Sequence, residues 1–266
     1  MAATAVAAPG TSALDEARKS WDDGAIDVAE RQYEQALARG GLDRASTLEC
    51  WIHIGAARAV LGKKSAALSA FRMALLIDDN FSVPAEAGKK AAQLADHARH
   101  QSNRVAALHM SVSAPPETSG GEAFAVNVLL DDGQAPLLAR LSLHVEDATT
   151  HKIYDYEEAA SSVVHFRVPA SMTLPGASLR VEVAALDEHD NQLAVALEHV
   201  TVRPTPIAET HPTKDLLRPS GGGFWSTAWP WVIGGAALAA GGATAAYFLL
   251  KPPDSVSVGP ATLQTH

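Results

Sequence analysis

The apolar period of this chain changes once, near residue 104, and that change sets its architecture. Before it, apolar residues recur at helical spacing. After it they alternate with polar ones: Phe124, Val126, Val128 and Leu130; Leu141, Leu143 and Val145; Val164, Phe166 and Val168; Leu179, Val181 and Val183. A period near 3.6 buries one stripe of a helix, and a period of two buries one face of a sheet. The chain therefore reads as a multidomain α + β protein, with helices over 12–101 and an antiparallel β-sandwich over 104–203. Pro115-Pro116, Gly120-Gly121, Asp131-Asp132-Gly133, Pro175-Gly176 and Asp190-Asn191 punctuate the strands. About seven strands in about one hundred residues suit a sandwich, with a small barrel as the alternative.

The helical part repeats itself. An offset of 38 residues superimposes Gly24 on Gly62, Ala29 on Ala67, Tyr33 on Phe71, Ala36 on Ala74 and Leu37 on Leu75. Trp51 and Gly55 stand upstream in the second copy. Small residues at such positions let two helices cross closely, and the aromatic fills the groove between pairs. This pattern resembles the tetratricopeptide repeat, whose packing positions fall on Gly24, Ala29, Tyr33, Ala36, Trp51, Gly55, Gly62, Ala67, Phe71 and Ala74; Ala17 stands where the first glycine of the family would. The resemblance implies stacked α-hairpins with a surface for a protein or peptide partner. The candidate contacts on polar helix faces are Arg58, Lys63, Lys64 and Arg72. A fifth helix from about Pro84 to Gln101 would cap the stack. A generic helical bundle is the plainer alternative. The sandwich is similar in pattern to immunoglobulin-like and fibronectin type III domains, although 104–203 contains no cysteine or tryptophan.

The carboxy-terminal part is different again. Residues 204–224 hold four prolines and a glycine triplet, the composition of a linker. Trp231 to Leu250 carries no charge, and as a helix it would be about 30 Å long. Flanking Phe224, Trp225, Trp229 and Tyr247 suit the two edges of a bilayer. The expectation is a single C-terminal transmembrane helix within 225–250, meeting the lipid bilayer through 231–250, followed by a disordered tail over 251–266. Gly235, Ala239 and Ala243 form a small-residue row suited to helix association, which adds a homo-oligomer to the expectations. Residues 1–11 read as disordered or as a signal-peptide remnant. The whole arrangement resembles bacterial envelope proteins with tetratricopeptide repeats. It implies a single-pass inner-membrane protein with periplasmic domains; the alternative is a tail-anchored protein with cytoplasmic ones.

Charge and chemistry narrow the function. The formal charge is −9 and the pI is near 5.6, so no nucleic-acid partner is expected. Fourteen acidic residues against six basic ones place that acidity in 104–203. The single Cys50 excludes a disulfide framework and reads as a packed thiol. His97 and His100 lie one turn apart with His109 beyond, too few to assign a metal. Asp187 to Asn191 reads as a hairpin turn. No nucleophile elbow, metalloprotease motif or phosphate loop occurs. No cofactor, metal or catalytic residue is expected, and the chain reads as a membrane-anchored scaffold or adaptor, not an enzyme. A structural component of an envelope complex and a membrane-bound enzyme are the alternatives.

Overall fold

The computed structural model describes residues 8–101 and 107–204. The chain divides into two units, Met1–Ile207 and Ala208–His266, and every described residue belongs to the first. Among the described residues, five α-helices come first: α1 (Thr11–Asp22), α2 (Ile26–Arg39), α3 (Arg44–Val60), α4 (Lys64–Ile77) and α5 (Gly88–Gln101). Eight strands follow: β1 (Met110–Ser113), β2 (Glu117–Thr118), β3 (Phe124–Leu130), β4 (Arg140–Asp147), β5 (Ile153–Ala159), β6 (Val163–Val168), β7 (Ser178–Leu186) and β8 (Gln192–Val202).

The two copies of the repeat share a turn. Gly24 and Gly62 have φ of +76° and +79°, and the residues after them, Ala25 and Lys63, both sit near φ −80° and ψ 64°. Glycine reaches positive φ at no steric cost, so the same residue starts the second helix of each pair. At the head of α3, the Asp43 carboxylate accepts the Ser46 backbone N–H at 2.7 Å and caps the helix.

Alanine dominates the helical core: Ala17, Ala29, Ala36, Ala67 and Ala74 are all fully buried. Tyr33 and Phe71 are its largest fully buried side chains. A Cβ on Gly55 would lie 2.6 Å from the Phe71 ring, so the ring packs directly on the α3 backbone.

The strands form two sheets. One has the order β1-β3-β6 and the other β2-β8-β7-β4-β5. Inward residues of both, among them Val128, Phe166, Leu141, Val181 and Val200, share one hydrophobic core. Alternation places them there: β3 buries every second residue, and β4 and β6 do the same.

Two expectations are corrected. The sandwich is not wholly antiparallel, because β2 runs parallel to β8 with Glu117 opposite Thr201 and Thr118 opposite Val202. A two-residue strand beside Pro116 has no period to betray it. The single C-terminal transmembrane helix is also not supported. No helix among the described residues is long and apolar enough to cross a membrane. The longest, α3, has seventeen residues and spends its apolar ones on the protein core. The expected span over 225–250 lies outside the described residues, as do Gly235, Ala239 and Ala243.

Candidate functional site

The helices and the sandwich meet along a seam, and the turn between β7 and β8 is its centre. Asn191 is fully buried there. Its Nδ2 donates to the Leu37 carbonyl and to Asp187 Oδ2, each at 2.9 Å, and its Oδ1 accepts the Leu42 N–H at 3.2 Å. Leu37 lies in the last turn of α2, where carbonyls lack helical partners, so a sandwich side chain satisfies a helix end. Backbone bonds complete the join: Gly41 N–H donates to His189 O at 3.0 Å and Gln192 N–H to Leu42 O at 2.9 Å. Asp187 Oδ1 in turn accepts the N–H groups of His189 and Asn191.

Gly40 makes this approach feasible. Its φ is +73° with ψ −171°, a region reserved for glycine. A Cβ there would stand 1.7 Å from the His189 carbonyl oxygen. Farther along the seam, Leu48 and Trp51 of α3 pack against both the helical and the sandwich cores. The Leu108 N–H donates to Leu76 O at 2.7 Å.

Beside this seam opens a cleft of about 620 Å³. Helices α2, α3 and α4 supply Glu34, Leu37, Ala38, Trp51, Ile54, Arg58 and Met73. The segment before β4 supplies Leu137, and the β7–β8 turn supplies Asp187, Glu188 and His189. Leu137 is 46% exposed, a large apolar side chain at the cleft.

An ion-pair network backs the cleft. Glu30, only 6% exposed, binds Arg58 Nε at 3.0 Å and Lys63 Nζ at 2.7 Å. Arg58 also meets Glu34 at 2.6 Å and donates to Ala66 O at 3.2 Å. Burial alone would raise the Glu30 pKa, but the hydrogen bonds from Lys63 and Arg58 outweigh it and hold the carboxyl below its ordinary range.

Of the four expected partner contacts, the structure brings Arg58 and Lys63 together on Glu30 and leaves Lys64 and Arg72 apart from that network. Arg58 lines the cleft. Lys63 is engaged by Glu30, Arg72 donates to Gln101 at 2.6 Å, and Lys64 is exposed at the start of α4. Of the expected packing residues, Ala29, Tyr33, Ala36, Gly55, Ala67, Phe71 and Ala74 are buried, Gly24 and Gly62 stand in exposed turns, and Trp51 is half-buried between the two cores.

Other candidates take their places in the fold. Cys50 is buried in α3, and burial chiefly pushes its thiol up to about 12, which keeps it protonated at neutral pH. His97 contacts Gln101 at 2.9 Å. Among the described residues, no group of three or more His, Cys, Asp and Glu is placed to hold a metal. Sequence reasoning found the Asp187–Asn191 turn but not its docking on α2. No local signal carries that role, because the partner groups lie about 150 residues away. No protein-family model matches the chain, and no curated protein matches it at a significant level.

Proposed function

We propose that this chain is a non-catalytic adaptor that holds a protein or peptide partner in the cleft between its helices and its sandwich. The cleft itself carries this reading. Its volume of about 620 Å³ suits a few side chains of a bound segment. Trp51, Met73 and Leu137 offer apolar contact, and charged groups stand among them. The walls come from two layers joined by buried hydrogen bonds. A preformed wall spares a ligand the cost of ordering it. The resemblance of the helical repeats to a family of peptide-binding modules points the same way.

Selection of random peptides displayed on phage against the full chain tests the reading. Enriched peptides are expected to bind with micromolar affinity and to lose about tenfold when Leu137→Ser removes an apolar wall or Ala38→Gln adds bulk to it. Both positions are exposed, so each variant keeps its fold. Failure to enrich any peptide, or enrichment indifferent to both substitutions, overturns the proposal.

A further inference from the structure

We infer that the cleft selects a segment in which an apolar side chain is flanked by Lys or Arg. This rests on the cleft being the partner site and adds the chemistry of the partner. The charges left available on the walls decide the class of partner. Among the charged groups on the walls, Arg58 is already held by Glu30 and Glu34, at 3.0 and 2.6 Å. It is therefore spent, and so is Glu34. The Asp187 carboxylate accepts three N–H donors from its own turn. Glu188 differs. Its side chain is 83% exposed, and its contact with His189 is long, at 3.8 Å. The charge left for a ligand is thus the exposed Glu188 carboxylate, which lines the same cleft as apolar Leu137. A cationic residue beside an apolar anchor complements both. Among the described residues that line the cleft, Arg58 is the only Lys or Arg and is held by Glu30 and Glu34, so an acidic segment meets Glu188 with no unpaired Lys or Arg to offset it. The acidity of 104–203 adds long-range attraction for a basic partner, which speeds encounter.

The probes are two labelled nonapeptides of alanine and glycine with a central leucine, one flanking it with lysines and the other with glutamates. Binding to the full chain is read by fluorescence anisotropy at about 50 mM and about 0.5 M salt, where the Debye length shrinks several-fold. The basic peptide is expected to bind about tenfold tighter at low salt, with the preference falling below about threefold at high salt. Glu188→Lys is expected to abolish that preference while leaving the melting temperature and circular dichroism unchanged, since the residue is exposed. Equal affinity for both peptides, tighter binding of the acidic one, no binding of either, or a preference untouched by Glu188→Lys overturns the inference. The adaptor reading is judged separately, by whether phage selection enriches peptides whose binding depends on Leu137 and Ala38.

Discussion

The helical layer and the sandwich are built on opposite packing plans. In the helices, alanines set the distance between elements, and Tyr33 and Phe71 are the largest side chains fully buried among them. In the sandwich the burial is spread over many mid-sized residues, such as Val126, Val128, Leu141, Leu143, Val181 and Val200. Each plan follows from its period. Helices that cross closely need small residues at the crossing, whereas a pleated face accepts β-branched ones everywhere. The first plan concentrates stability in single positions, and the second distributes it.

Truncating one anchor in each layer tests that contrast most sharply. Phe71→Ala is expected to cost about 3–5 kcal/mol, and Val181→Ala about 2 kcal/mol, by urea denaturation. Equal costs would break the comparison. The seam between the layers is the next point of attack. Gly40→Ala places a Cβ against the His189 carbonyl and forces alanine into a glycine-only conformation, for an expected loss of about 3 kcal/mol. A loss under about 1 kcal/mol would mean that the turn can retreat from α2 at little cost.

The smallest effect concerns charge within the helical layer. The Glu30 pKa lies below the ordinary value of about 4.5 in the folded chain, so its contribution is fully present above that value and is lost as pH falls through the lowered one. Glu30→Gln is expected to cost about 1–3 kcal/mol at neutral pH, with the difference from wild type shrinking as pH drops below about 4.5. Thermal melts across pH 7 to about pH 3 check this. A constant difference across that range would show that Glu30 acts by shape and not by charge.

Much of this was legible in the sequence because local rules carried it. The change of period near residue 104 separated helices from strands. The offset between Gly24 and Gly62 marked two turns of the same geometry. The small–aromatic pairing of Gly55 and Phe71 is a direct contact. What escaped was non-local. Asn191 reads as an ordinary turn residue, yet it is fully buried because Leu37 and Leu42 meet it from the other layer. Trp51 fits the repeat pattern but packs against both cores. Arg58, Lys63 and Arg72 read as polar helix-face groups, and their partners Glu30, Glu34 and Gln101 lie 24 to 33 residues away, beyond any local pattern. The expected span over 231–250 lies outside the described residues.

The seam both joins the two layers and walls the cleft. Differential scanning calorimetry of the full chain, beside Asn191→Ala, tests it most directly. One cooperative transition with matching calorimetric and van't Hoff enthalpies is predicted for the wild type, splitting into two when Asn191 is removed. Two resolved transitions already present in the wild-type chain would contradict it.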